Sequence, residues 1–183
     1  MDVFWARGYE DASIAQLTAA MGINPPSLYA AFGSKEQLFR AAVELYDRTE
    51  GEITTRALSE PPTARTAVEA LLRDNAARYT EDGKPAGCMV IACAASASPS
   101  SAGVRDHLVE SRRVVEDQIA DRIRRGIADG DVPAGADPEA LGVFFNTILE
   151  GLSHHARDGA SRAKLDSIVD SAMSAWDALA GAA

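Results

Sequence analysis

Cysteine and histidine are the residue types in this chain whose side chains could carry redox or metal chemistry. The 183 residues include two cysteines, Cys88 and Cys93. Because they lie five positions apart in one apolar run, a helix would point them in different directions, and a disulfide between them is geometrically unfavourable. Buried free cysteines usually behave as small apolar side chains. Cys88 follows Gly87 near an expected helix start, which could lower its thiol pKa, so it is the better candidate for a thiol sensor.

His154 and His155 form an adjacent pair that superficially suits a metal ion. Adjacent residues on a helix point about 100° apart, however, and rarely bind one metal ion. Asp158 follows His154 by four residues and suits a helix-surface pair with it. We therefore expect no metal and no cofactor. The sequence also shows no glycine-rich phosphate loop and no ordered Ser, His and Asp set, so we do not expect an enzyme.

Residues 13–22 carry the start and stop signals of a short helix. Ser13 followed by Gln16 is a capping box, in which each side chain bonds the backbone N–H of the other residue. Gly22 can supply the left-handed backbone with which helices commonly end. The pattern predicts a helix over residues 13–20 that ends in a tight turn.

A second short helix is predicted directly afterwards, over residues 24–31. Asn24 is a suitable N-cap, and Pro25 occupies the first helical position, where its missing N–H costs nothing. Ser34 and Gln37 form a second capping box, which starts a third helix. Two short helices joined by a tight turn, with a third helix behind them, make a helix-turn-helix. The second helix would enter the major groove of DNA.

The residues around this motif also occur in an order that is typical of one family. They are Gly8, Tyr9, Ser13, Ile14, Leu17, Ala20, Gly22, Ile23, Ser27, Leu28, Tyr29, Phe32, Ser34, Lys35, Glu36, Leu38 and Phe39. Through them, residues 1–50 resemble the DNA-binding domain of the tetracycline-repressor (TetR/AcrR) family of transcriptional regulators. The resemblance implies a homodimeric repressor that binds a near-palindromic operator in double-stranded DNA. It also implies release by a small apolar or amphipathic effector.

The resemblance places the DNA contacts on and around the second helix. Tyr29 and Lys35 would contact phosphates, and the helix dipole would favour a phosphate near Lys35. Ser27 would hydrogen-bond a base or a phosphate. The expected DNA-binding residues are Ser13, Pro25, Pro26, Ser27, Tyr29, Ala30 and Lys35. Because the exposed face of this helix holds no Arg or Asn for bidentate base recognition, direct readout should be modest.

The charge of the chain opposes DNA binding. The net charge is −9, and residues 1–50 contain four basic against seven acidic residues. Only seven residues precede Gly8, so we expect few contacts from a basic N-terminal arm. The alternative function is therefore a dimeric small-molecule or thiol-based sensor module with weakened DNA binding.

Helical periodicity continues through the rest of the chain. Helices are expected over residues 34 to about 50, 63–81, 87–97, 102–128, 137–157 and 161–180. A buried strand is the competing interpretation for residues 87–97, although the alanines favour a helix. Pro61 and Pro62 interrupt the pattern. The expected fold is all-α, with an N-terminal three-helix helix-turn-helix domain at residues 1–50 and a C-terminal helical ligand-binding and dimerisation domain at residues 51–183.

Two functional surfaces are expected in the C-terminal domain. The candidate ligand-pocket residues are Tyr79, Cys88, Met89, Cys93, Val104, His107, Leu108, Phe144 and Phe145. The last two predicted helices are apolar on more than one side, which suggests a four-helix bundle across a two-fold axis. The candidate dimer-interface residues are Leu149, Leu152, His155, Ile168, Met173 and Trp176.

The sequence gives no sign of a membrane partner. No stretch approaches the ~18 consecutive apolar residues that a membrane span needs. The residues before Gly8 lack the basic region and apolar run of a signal peptide. Two free cysteines suit a reducing compartment, so a cytoplasmic location is expected.

Overall fold

The computed structural model describes residues 1–96, 98 and 100–181, and all regular structure in this part of the chain is helical. The helices are α1 Asp2–Asp11, α2 Ile14–Met21, α3 Pro25–Phe32, α4 Lys35–Arg48, α5 Glu52–Ser59, α6 Ala64–Tyr79, α7 Met89–Ser96, α8 Ala102–Asp129, α9 Pro138–Arg157, α10 Arg162–Ser174 and α11 Trp176–Leu179. The all-α prediction is confirmed. Helix α7 shows that the strand interpretation of residues 87–97 is wrong. Ala97 is the last residue of that predicted helix, and Pro99 follows it. Both lie outside the described residues.

Three features differ from the pattern-based prediction. Periodicity did not indicate α1 or α5, because each is short and α1 is interrupted by Gly8. The single helix predicted over residues 161–180 is divided into α10 and α11 at Ala175. There the Ala175 N–H donates to the Ala172 carbonyl at 3.2 Å, a bond of the 3₁₀ type that tightens the last helical turn.

The helices group into two compact units. The first unit comprises residues 1–51 and 88–112, and the second comprises residues 52–87 and the described residues from 113 onward. Residues 88–112, which the sequence pattern assigned to the C-terminal domain, thus pack with the N-terminal helices. Helix α8 supplies residues to both units.

An aromatic cluster forms the core of the first unit. Phe4 and Trp5 on α1 are almost completely buried. The Phe4 ring meets the Phe39 ring edge-on at 5.1 Å, and the Trp5 ring meets the Tyr46 ring in the same way at 5.0 Å. Such pairs stabilise a fold by about 0.5–1.5 kcal/mol beyond the burial of their surface. Helix α1 therefore completes the core that holds α4 and α7 together.

Gly8 allows α1 to change direction where it passes α7. Its φ of +79° lies in the left-handed region, and a Cβ at this position would overlap the Ser96 hydroxyl. Beyond this kink, a Glu10 carboxylate oxygen accepts hydrogen bonds from the Ser98 N–H at 3.1 Å and the Ser101 hydroxyl at 2.7 Å. The hydrogen bond from Ser101 makes the largest contribution to lowering the pKa of Glu10, and the bond from Ser98 lowers it further.

The core of the second unit lies among α6, α9 and α10. Its fully buried side chains include Leu71, Leu72, Phe145, Leu152 and Leu165. The Trp176 ring packs against Phe145 with 5.3 Å between ring centres. Among the described helices, none is both long enough and apolar enough to span a membrane.

Candidate nucleic-acid interface

Local hydrogen bonds define both ends of α2. The Ser13 hydroxyl accepts from the Gln16 N–H at 3.2 Å, and the Ser13 N–H donates to the Gln16 side-chain oxygen at 2.9 Å. At the other end, Gly22 has φ 66° and ψ 28°, the left-handed conformation of a helix C-cap. The capping box and the glycine stop predicted from the sequence are both confirmed.

Helix α3 is capped at its start and exposed along most of its surface. The Asn24 side-chain oxygen accepts from the Ser27 N–H at 2.9 Å, and Pro25 occupies the first turn as predicted. Leu28 is fully buried and anchors the helix, whereas Tyr29 is 47% exposed. The other exposed residues here are Pro25, Pro26, Ser27, Ala30 and Ala31. This helix therefore presents an accessible surface to solvent, which a recognition helix needs, although that surface carries no charged side chain.

The start of α4 differs from the predicted capping box. The Ser34 hydroxyl accepts from the Gln37 N–H at 3.0 Å, which is the expected half of the box. The Ser34 N–H, however, donates to the Phe32 carbonyl at 2.9 Å. Because that donor is already bonded within the preceding turn, the reciprocal bond from Gln37 is not needed to satisfy it.

Lys35 is held by helix α1. Its ammonium nitrogen donates to the Glu10 carbonyl at 3.2 Å and lies 4.5 Å from the centre of the Tyr9 ring, a cation–π contact. Burial lowers the pKa of Lys35, against the opposing effect of Glu10 and Asp11. An ammonium group has three N–H donors, so Lys35 can keep the Glu10 bond and still donate to a phosphate.

Arg40 is a cation of the first unit that the sequence analysis did not single out. Its guanidinium donates to the Glu36 carboxylate at 2.9 and 3.2 Å and to the Gly103 carbonyl at 2.9 Å. It therefore ties α4 to α8 within this unit. The pairing with Glu36 cancels its charge locally, which leaves α3 with little positive charge from this source.

Comparison with known proteins identifies both parts of the chain. Residues 1–42 match the family model described as bacterial regulatory proteins, tetR family. Residues 62–172, more than half of the chain, match the model described as tetracyclin repressor-like, C-terminal domain. The chain belongs to the TetR family.

Individual TetR-family relatives are similar along nearly the whole chain. The HTH-type transcriptional repressor ComR of Escherichia coli (strain K12) is 33% identical over 180 residues, which cover 98% of this chain and 86% of ComR. The repressor BdcR of the same organism is 35% identical over 159 residues, covering 87% of this chain and 76% of BdcR. A cysteine-substituted form of the TetR family transcriptional regulator CifR, solved in complex with 26-bp double-strand operator DNA, is 48% identical. Its TM-score is 0.93, and the match covers 96% of this chain and 92% of CifR.

The candidate pocket residues are divided between the two units. Cys88, Met89, Cys93, Val104, His107 and Leu108 belong to the first unit, and Tyr79, Phe144 and Phe145 belong to the second. Met89, Cys93, Val104 and Leu108 pack in the same hydrophobic core as Phe4 and Phe39. These four side chains are core residues, because α1, which the sequence pattern did not reveal, covers α7.

Cys88 does not have the environment of a reactive thiol. Burial raises the pKa of its thiol, and this effect outweighs hydrogen bonding with Tyr46, which lowers it. The prediction that the helix start lowers this pKa is therefore wrong. Cys93 is fully buried, and its thiol donates to the Phe4 carbonyl with 3.4 Å between sulfur and oxygen. Burial thus disfavours the thiolate of Cys88, which is the reactive form of cysteine.

His107 is half-buried on α8 in the first unit. Its Nε2 atom is buried and makes no hydrogen bond with a described residue. Burial, followed by the positive charge of Arg40, lowers the pKa of His107, so the neutral imidazole is favoured near neutral pH. No group of three or more His, Cys, Asp or Glu side chains in the described part of the chain could hold a metal ion.

Four of the six candidate interface residues are buried inside the second unit. Leu149, Leu152, Met173 and Trp176 expose almost no surface, so their side chains pack mainly within the unit. His155 is exposed and Ile168 is half-buried. A different face of α9, which the sequence analysis did not single out, carries the exposed residues Val143 and Thr147 and the half-buried Gly151 at i, i+4 spacing.

Proposed function

We propose that this chain is a DNA-binding transcriptional repressor that binds a near-palindromic operator as a homodimer in the cytoplasm. The observation that carries the proposal is helix α3, which is capped, anchored by Leu28 and otherwise largely exposed after a tight turn at Gly22. Membership of the TetR family supports it. So do the relatives named as transcriptional repressors and the solved CifR complex with operator DNA.

DNA recognition by α3 would combine phosphate contacts with apolar contacts in the major groove. Tyr29 is the strongest candidate for a phosphate hydrogen bond, because its phenol is exposed on a helix that is fixed at both ends. Ser13 and Ser27 add hydroxyl groups. Pro25, Pro26 and Ala30 can contact thymine methyl groups but cannot donate hydrogen bonds from their side chains. Sequence preference would therefore depend strongly on DNA shape and on methyl contacts.

Release from DNA would require an effector that binds a second conformation of the dimer more tightly than the DNA-bound one. The effector is proposed to be a small molecule. The exposed face of α9 with His155 and Ile168 is the proposed surface for the partner chain, since a symmetric dimer needs one self-complementary patch.

Two observations favour the second candidate function, a dimeric sensor with weakened DNA binding. Lys35 and Arg40 are both engaged within the first unit, and the chain is strongly acidic. Both features reduce the phosphate contribution to affinity. The thiol-based form of this alternative is disfavoured by the raised pKa of Cys88.

Fluorescence anisotropy with DNA from upstream of the protein's own gene tests the proposal. We expect saturable binding with two chains per operator at low salt, and Tyr29→Phe should weaken it about three- to tenfold by removing one hydrogen bond. Thr80→Val, which removes a hydroxyl from the second unit while keeping the side-chain shape, should bind as the unaltered protein does. Absence of DNA binding at low salt would reject the repressor function, and the dimeric sensor module would remain as the candidate function.

A further inference from the structure

A groove with both polar and apolar lining lies between α5 and α8 in the second unit. It is open to solvent and has a volume of about 220 Å³. Its lining residues are Thr55, Leu58, Ser59, Gln118, Asp121, Arg122 and Arg125. The lining thus combines two guanidinium groups with one carboxylate, hydroxyl and amide groups, and one apolar side chain.

Arg122 is the unusual member of this lining because it is only 3% exposed. Its Nη2 atom donates to the Pro61 carbonyl at 3.4 Å and lies 3.9 Å from an Asp131 carboxylate oxygen. Its Nε and Nη1 atoms are buried and have no hydrogen-bond partner among the described residues. Leaving buried charged donors unsatisfied is costly, so such a group marks a place where an acceptor can bind.

The neighbouring carboxylates only partly balance the charge of Arg122, because its ion pair with Asp131 is long, at 3.9 Å. Asp121 pairs with Arg124. The Asp131 carboxylate accepts hydrogen bonds from the Ala64 N–H, at 3.2 and 3.3 Å. Burial, followed by the positive charge of Arg125, lowers the pKa of Arg122, although an arginine remains charged at neutral pH. Two donor nitrogens of Arg122 therefore remain without an acceptor among the described residues.

We propose that this groove binds the carboxylate group of a small organic anion, with Arg122 as the main charged partner. A planar guanidinium matches a carboxylate in geometry as well as in charge. Arg125, whose Nη2 donates to the Leu58 carbonyl at 3.0 Å, adds a second positive charge. Thr55 and Ser59 offer hydroxyl groups to the same ligand, and its apolar part can contact the Leu58 side chain.

The size and charge of the groove restrict the ligand further. Its volume of about 220 Å³ is below the roughly 300–1,000 Å³ of sites for drug-sized ligands, which indicates a small molecule. The Asp121 carboxylate in the lining, although paired with Arg124, repels a dianion more strongly than a monoanion, which favours a monocarboxylate. Because the free Arg122 nitrogens are covered, the Arg122 side chain must turn toward the opening when the ligand enters. The idea that this anion is the effector rests on the proposed repressor function. The binding of the anion to the groove does not depend on that function.

Isothermal titration calorimetry of the full chain tests the site with acetate, butyrate and benzoate at constant ionic strength. Acetamide, butyramide and benzamide are the neutral controls of the same shape. We expect at least one carboxylate to bind saturably with one ligand per chain. The matching amide should bind at least about tenfold more weakly, because it lacks the charge that strengthens hydrogen bonds to a guanidinium.

Three variants locate the binding. Arg122→Met should raise the dissociation constant for the best carboxylate at least about tenfold, and Arg125→Gln should raise it less. Arg113→Gln removes an exposed arginine of α8 outside the groove. This variant should leave the dissociation constant unchanged. Lack of binding by all three carboxylates, or unchanged binding after Arg122→Met, overturns the proposal. If Arg122→Met does not fold by circular dichroism, unchanged affinity in both Arg125→Gln and Ser59→Ala overturns it.

DNA binding of the same proteins separates this inference from the proposed function. Each folded variant should bind operator DNA normally when no carboxylate is present, since the groove lies in the second unit. Carboxylate binding without any DNA binding would reject the repressor and keep the site. DNA binding without carboxylate binding would reject the site alone.

Discussion

The ammonium group of Lys35 shows how strongly a neighbouring element decides what one residue can do. Its position after the Ser34 cap suits a phosphate contact, yet its side chain is held by the Glu10 carbonyl and the Tyr9 ring. Tyr29 lacks such restraint and stands exposed on α3. Of the expected DNA-binding side chains, Tyr29 is therefore the one that we expect to contribute most to affinity.

The buried thiol of Cys88 leads to a second prediction about a single residue, which concerns its reactivity. Because burial raises the pKa of its thiol, a smaller fraction is thiolate at neutral pH than in the unfolded chain. Alkylation of Cys88 by iodoacetamide at pH 7 should be much slower in the native protein than in urea, and it should accelerate as the pH rises. Peptide mass spectrometry resolves Cys88 from Cys93. Rapid native labelling of Cys88 at pH 7 would contradict this expectation and revive the thiol-sensor hypothesis.

At the scale of elements, α2 and α3 depend on local signals, whereas α1 depends on its neighbours. Ser13, Gly22 and Asn24 each act within a few residues, through a cap or a left-handed turn. Helix α1 has a glycine at its kink and no side-chain hydrogen bond at its N-cap. Its stability comes from burying Phe4 and Trp5 against α4 and α7, which is typical of short helices in proteins.

Gly22 tests the importance of the turn between α2 and α3. A Cβ at this position would meet no atom within 4 Å, so any loss of stability must come from the left-handed backbone. Gly22→Ala should lower the free energy of unfolding by about 1 kcal/mol, and Gly22→Asn should lower it less because Asn tolerates this conformation. Chemical denaturation followed by circular dichroism measures both. Equal losses for Ala and Asn would argue against the backbone explanation.

For the whole molecule, the exposed face of α9 bears on assembly. Val143 is 49% exposed, Thr147 follows it by one turn, and nothing lies within 4 Å of a Cβ at Gly151. A helix face with small side chains allows close approach of a second helix, while the buried Leu152 and Trp176 keep α9 fixed within its unit. A two-fold symmetric homodimer that forms through this face would carry two α3 helices, one from each chain.

A charge placed on this face should therefore disrupt assembly. Val143→Asp should shift the protein toward monomer in analytical ultracentrifugation and weaken operator binding by at least about tenfold, because a buried unpaired carboxylate is costly. Val114→Asp is the matched control, since Val114 is 46% exposed on α8. The oligomeric state of the Val114→Asp protein should be the same as that of the unaltered protein. A Val143→Asp protein that remains dimeric would place the interface elsewhere.

The sequence by itself determined the helical fold, the helix-turn-helix and the exposure of α3, because caps, turns and helical periodicity act over a few residues. Ser13, Gly22 and Asn24 could be interpreted without any knowledge of distant contacts. Tertiary structure alone decided that Met89 lies in a core with Phe4, that burial raises the pKa of Cys88, and that Arg122 lines a groove. The physical reason is that burial and charge depend on which distant side chains pack together, and no short-range pattern encodes that packing.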